Sequence, residues 1–75
     1  MSDHIYKKIE LVGTSSTGIE SAIQNAITSA TQSLENIDWF EVTEIRGDIN
    51  NGKVGHFQVG LKVGFRVLGT ELPTK

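Results

Sequence analysis

The residue of this chain best suited to engage a ligand is Trp39, its only tryptophan. It lies in Asp38-Trp-Phe-Glu-Val42, which alternates in the manner of a strand. Asn51-Gly52 is a strong two-residue hairpin signal, because both turn positions require positive φ. Projecting that hairpin outward, with 50 opposite 53, sets Trp39 opposite Gly64 and Glu41 opposite Lys62, a favourable cross-strand charge pair. Phe40 and Val42 then take the core face against Val63 and Leu61, and Trp39 shares the other face with Glu41 and Thr43. An indole there reads in two ways: as an extension of the core at a strand start, or as a flat platform for a ligand or a second subunit. Gly60 and Gly64 weaken a strand interior, for which close approach by a ligand or another backbone is the usual reason. The register fails near the turn, where Ile45 points outward and Arg46 inward beside Phe57. One or two extra residues between Thr43 and Gly47, as a β-bulge or wider turn, restore it.

Other chemistry is poorly served. Gly13-Thr-Ser-Ser-Thr-Gly18 has the glycine spacing of a phosphate loop but continues Ile19-Glu20 in place of Lys-Ser/Thr. Its hydroxyls read more simply as loop and cap residues. No nucleophile elbow is present, and neither His4 nor His56 stands beside a candidate nucleophile. Both histidines read as surface residues on polar strand faces. Glu41, Glu44 and Asp48 on one strand read as solvated carboxylates. The sequence therefore speaks against an enzyme.

Four segments must carry these residues. His4 to Val12 is expected to be a strand, with Ile5, Ile9 and Leu11 on one face and His4, Tyr6, Lys8 and Glu10 on the other. Lys7 has the apolar parity, which suggests an edge or a strand end. After the Gly13–Gly18 break comes a helix of about 18 residues, with Thr17 and Glu20 at capping-box spacing. Ile19, Ala22, Ile23, Ala26, Ile27, Ala30 and Leu34 form one apolar stripe. Gln24, Asn25, Ser29, Gln32 and Ser33 give the opposite face a neutral polar surface, open to solvation or to another subunit. Asp38 to Ile49 and Val54 to Val67 complete a β-α-β-β order, an α+β fold with one sheet wrapped around one helix. In the last strand Phe57, Val59, Leu61, Val63, Phe65 and Val67 can cover the stripe, while His56, Gln58, Gly60, Lys62, Gly64 and Arg66 face away. That strand runs about 46 Å and the helix about 27 Å. A sheet that outruns its helix must curl around it or continue into a neighbour.

Composition narrows the class further. Seventy-five residues make one domain, residues 1–75, with 69–75 around Pro73 reading as a loosely held tail. So small a chain has a marginal core and usually needs disulfides, a metal or oligomerisation. There is no cysteine, which removes disulfides, iron–sulfur clusters, zinc–thiolate sites and thiol catalysis, and two histidines are too few for a structural metal. Oligomerisation is left. A net charge of −2 argues against nucleic acid as a partner, and no stretch is apolar enough to span a membrane. Met1-Ser-Asp-His has no signal-peptide pattern, so the cytoplasm is the expected compartment.

Beyond these physical readings, Tyr6-Lys-Lys-Ile-Glu-Leu-Val-Gly-Thr-Ser15, Asp38-Trp-Phe-Glu-Val42, Ile45-Arg-Gly47 and His56-Phe-Gln-Val59 resemble the dodecins at compatible spacing, from about Ile5 to Val67. The resemblance implies a small flavin-binding protein that assembles as a hollow homododecamer and stores or sequesters FMN, riboflavin or a related flavin without turning it over. It implies that Trp39 stacks on an isoalloxazine ring, two flavins lying between the tryptophans of two subunits. It assigns Gln58 to the flavin's pyrimidine edge and Arg46 to a flavin carbonyl or phosphate, as in FMN-binding bacterial members. It also implies a coenzyme A site near three-fold contacts, matched here by His4, Tyr6, Thr28, Gln32 and Arg66. The alternative is a structural or interaction module whose Trp39 face is only an oligomer contact.

Overall fold

A computed structural model of the chain describes residues 3–67; the expected tail at 69–75 lies outside them. The order is β1 (Ile5–Ser15), α1 (Ile19–Thr31), β2 (Ile37–Asn50) and β3 (Lys53–Val67). The three strands form one antiparallel sheet in the order β1-β3-β2. The β-α-β-β expectation therefore stands, and the most regularly alternating strand takes the centre. β1 is an edge strand, which accounts for Lys7 at an apolar-parity position. Among the described residues no helix is long and apolar enough to cross a membrane.

The core forms where β3 meets the helix. Val59, Leu61 and Val63 have no exposed surface, and Ala22, Ala26 and Ala30 pack on them. Burying the valine and leucine side chains contributes about 1.5–3 kcal/mol each. Alanines at every fourth position give the helix a narrow face that approaches the sheet closely. The approach is closest at Gly13, where an added Cβ would overlap the Ala22 carbonyl oxygen and meet Ala26 Cβ at 3.0 Å. Gly13 is thus not a loop residue, as its sequence context suggested. β1 continues to Ser15, with Gly13 opposite Val59 in the sheet.

The helix is shorter than expected and capped differently. It covers 13 residues, and its N-cap is Gly18, with no side-chain cap hydrogen bond. The Thr17–Glu20 capping box is therefore corrected. The Thr17 hydroxyl lies 2.9 Å from Ser15 Oγ, which also accepts the Thr17 amide at 3.0 Å, so this local turn uses the group that would have capped. At the far end the Leu34 amide reaches the Ala30 carbonyl, and Asn36 at φ 64° turns the chain towards β2. On the polar face Asn25 donates to the Thr14 carbonyl at 2.9 Å, binding helix to β1.

The helix packs on β1 and β3 and leaves β2 largely uncovered. Phe40, Val42 and Ile45 occupy positions opposite Val63, Leu61 and Val59, on the side expected, yet 47%, 40% and 56% of their surfaces are exposed. Ile49 and Val54 are more exposed still. An open apolar groove of about 420 Å³ runs between α1 and β2, lined in part by Ile23, Ile27, Ile37 and Phe40. The long β2–β3 hairpin draws the molecule out to 61 × 20 × 14 Å.

Candidate functional site

The face of the sheet turned from the helix carries the residues of interest. The hairpin turns at Asn51 and Gly52, both with positive φ, as the sequence required. From there Asn50 pairs with Lys53, Phe40 with Val63, Val42 with Leu61, Glu41 with Lys62 and Trp39 with Gly64, all as projected. Three irregularities interrupt the pairing, at Ile37/Trp39, Val42/Glu44 and Gly47/Ile49, and the one that bears on the site lies between Val42 and Glu44. Thr43 is the extra residue. It turns Ile45 to the helix side opposite Val59 and brings Glu44 and Arg46 onto the Trp39 side, opposite Gly60 and Gln58. The ambiguity at Arg46 is thereby resolved.

Trp39 is half-exposed at 38% and held from two sides. A Cβ on Gly64 would fall within its indole, so the ring lies directly over that glycine. The Tyr6 ring stands 5.0 Å away, centre to centre, tilted by 59°, a favourable aromatic geometry. Tyr6 reaches this position because β1 pairs with β3 through Tyr6–Arg66 and Lys8–Gly64. Below Trp39, Glu41 ion-pairs with Lys8 at 3.7 Å rather than with Lys62 directly opposite.

The close approach expected at Gly60 and Gly64 is made by side chains of this chain's own neighbouring strand. Gly64 accommodates the Trp39 ring, and Gly60 accommodates Glu44, whose Cγ would be 2.9 Å from an added Cβ. Glycine here permits side chains of the neighbouring strand to lie flat on β3.

Beside Gly60 runs a polar chain. Arg46 Nε donates to Gln58 Oε1 at 2.9 Å, and Arg46 Nη1 donates to Glu44 Oε2 at 3.2 Å. Sequence reasoning chose Arg46 and Gln58 and passed over Glu44. The signal for it was the bulge: one inserted residue before Glu44 puts both Glu44 and Arg46 on the Gln58 face. Nearer the turn, Asp48 accepts the His56 amide at 2.7 Å, and its other oxygen lies 3.6 Å from the His56 ring.

The residues assigned by resemblance to coenzyme A are only partly brought together. His4 Nε2 lies 3.5 Å from Arg66 Nη1, and Tyr6 is the cross-strand partner of Arg66. Arg66 Nε is buried without a partner. Thr28 and Gln32 stand on and just after the helix, with Thr28 Oγ1 accepting from Gln24 at 3.2 Å. Among the described residues no hydrogen bond or ion pair joins them to His4, Tyr6 or Arg66.

Trp39 and Gln58 share a face but not a place within one subunit. Gly64 and Gln58 are six positions apart on β3, about 20 Å along the strand. No single isoalloxazine ring stacks on the one and meets the other in the same chain.

Comparison with known proteins gives the family. The dodecin family model matches residues 5–68. A dodecin of Thermus thermophilus is 56% identical over 63 residues, which cover 84% of this chain and 91% of the relative. The solved dodecin of Streptomyces coelicolor superposes with a TM-score of 0.88 at 53% identity, covering 93% of this chain and 100% of that one. That of Streptomyces davaonensis gives 0.85 at 52% identity, covering 88% and 97%. With the β-α-β-β sheet and the Trp39 face in the same chain, the protein belongs to the dodecin family.

Proposed function

We propose that this protein binds flavin, FMN or riboflavin, in a homododecamer and stores it in a photochemically quiet form without catalysing its turnover. The observation that carries this reading is Trp39: a half-exposed indole held over Gly64 and against Tyr6. An aromatic ring fixed in this way offers a π-surface at little cost in side-chain entropy, and each aromatic contact contributes about 0.5–1.5 kcal/mol beyond area burial. An indole in contact with excited flavin quenches it by electron transfer.

The separation of Trp39 and Gln58 along β3 makes the proposed site a shared one. One subunit supplies the stacking indole and another the amide that meets the pyrimidine edge, with Arg46 beside it. The uncovered apolar side of β2 gives assembly a physical reason. We include in the proposal a second ligand bearing phosphates, such as coenzyme A, at His4 and Arg66, because Arg66 Nε is buried without a partner. Thr28 and Gln32 would join it only from another subunit or another part of the ligand. The cytoplasm is the compartment in which we place this store.

The test is titration of flavin-stripped protein into FMN, followed by flavin fluorescence, with Trp39→Ala as control. Quenching that saturates near one flavin per chain and is lost in the variant supports stacking. A protein that assembles yet leaves FMN fluorescence unchanged is instead an interaction module, with Trp39 as an oligomer contact. Gln58→Ala is expected to weaken binding by about 1–3 kcal/mol.

A further inference from the structure

We propose that Glu44 is a positioning residue for flavin recognition, acting through Arg46 to fix the sense of the Gln58 amide, so that Gln58 meets the ligand as a hydrogen-bond donor. The inference rests on the flavin reading above and specifies the chemistry of one contact in it.

An amide side chain offers a carbonyl acceptor and an NH₂ donor on opposite sides, and a free glutamine rotates to present either. Gln58 is not free. Arg46 Nε lies 2.9 Å from one of its terminal atoms. A guanidinium has donors and no acceptor, so the amide atom facing it is the oxygen on chemical grounds alone. The NH₂ group then points away from Arg46. Its natural counterpart on a pyrimidine edge is a ring carbonyl, and the second lone pair of Oε1 stays open to the adjacent ring N–H.

Arg46 is fixed in its turn. Its Nη1 donates to Glu44 Oε2 at 3.2 Å, a charge-assisted bond that restrains a long, half-exposed side chain. Two features of the sequence make this bond possible. The Thr43 bulge puts Glu44 on the Gln58 face, opposite Gly60. Gly60 lets the Glu44 side chain lie flat, since a Cβ there would stand 2.9 Å from Glu44 Cγ and 3.3 Å from Oε2. Glu44, Arg46 and Gln58 therefore form a relay across β2 and β3 that selects one of two amide orientations before any ligand arrives. Glu44 touches no ligand in this scheme.

Gln58→Glu separates the possibilities, because it keeps an oxygen for Arg46 and exchanges the donor for a second oxygen. FMN affinity and the Raman carbonyl stretches of bound flavin are measured on the assembled protein and on Gln58→Glu, Glu44→Ala and Glu44→Gln. The expected result is FMN affinity about tenfold or more weaker for Gln58→Glu, with the flavin carbonyl stretch returning towards that of free FMN. Glu44→Ala moves the same stretch in the same direction and weakens FMN by a few-fold, and Glu44→Gln restores part of both. Gln58→Glu that binds FMN as tightly as the parent overturns the proposal, because the ligand then does not depend on the amide donor. Glu44→Ala with unchanged stretch and affinity overturns the role of Glu44. If the parent itself does not quench FMN, the flavin reading fails, a result distinct from either.

Discussion

The two outer strands of the sheet meet opposite fates. β1 is pressed against the helix: Ile9 and Leu11 pack on the core, and Gly13 brings β1 into contact with the Ala22 carbonyl. β2 has the same alternation and lies in good register with β3, yet Phe40, Val42 and Ile45 stand uncovered on the side where the helix lies. Both strands present apolar residues towards that side, so pattern does not distinguish them. A 13-residue helix about 20 Å long is wide enough to cover the centre and one edge of the sheet, and no more. An apolar row left open on one edge is a surface for another chain.

This contrast can be broken by truncating a side chain in each region. Leu61→Ala, in the covered region, should destabilise the fold by about 2–5 kcal/mol, read as a lowered midpoint in denaturant. Gly13→Ala should follow at about 1–3 kcal/mol, because the new methyl meets the helix backbone, which moves only as a unit. Circular dichroism at rising temperature measures it, and an unchanged midpoint would mean that α1 does not rest on Gly13.

Gly52→Ala sharpens the comparison at the far end of the hairpin. Its φ of 75° with open space around it makes the penalty one of local backbone conformation, about 1–2 kcal/mol, with no clash against neighbouring groups. The smallest effect on a single folded subunit is expected for Ile45→Ser, within about 0.5 kcal/mol for an exposed position. Its larger consequence should appear in light scattering as smaller particles with unchanged helix content. Particles of undiminished size would remove the uncovered side of β2 from the assembly surface.

Much of the fold was legible locally. The alternation of β3, the Asn51-Gly52 turn and the pairing of Trp39 with Gly64 are properties of short segments, and each was read correctly because strand period and turn geometry act over a few residues. The bulge was legible as a failure of parity near Arg46, although its place at Thr43 was not. The capping box misled because Ser15 competes for the Thr17 hydroxyl, and that competition exists only once β1 has run on to Ser15.

The candidate site divides along the same line. Residue types settled that this chain has one indole, no thiol and no phosphate loop, and so what chemistry it is suited to. Position on a strand settled the face that Trp39 and Gln58 share. What filled the space above Gly60 and Gly64 depended on side chains of the adjacent strand, and that Tyr6 backs Trp39 depended on the pairing of β1 with β3, the two ends of the described chain. Sequence determines such features through long-range pairing, which carries no local signature. Only the folded chain decided that Glu44 and Arg46 join Gln58 on that face, because the place of the bulge at Thr43 sets their side of the sheet.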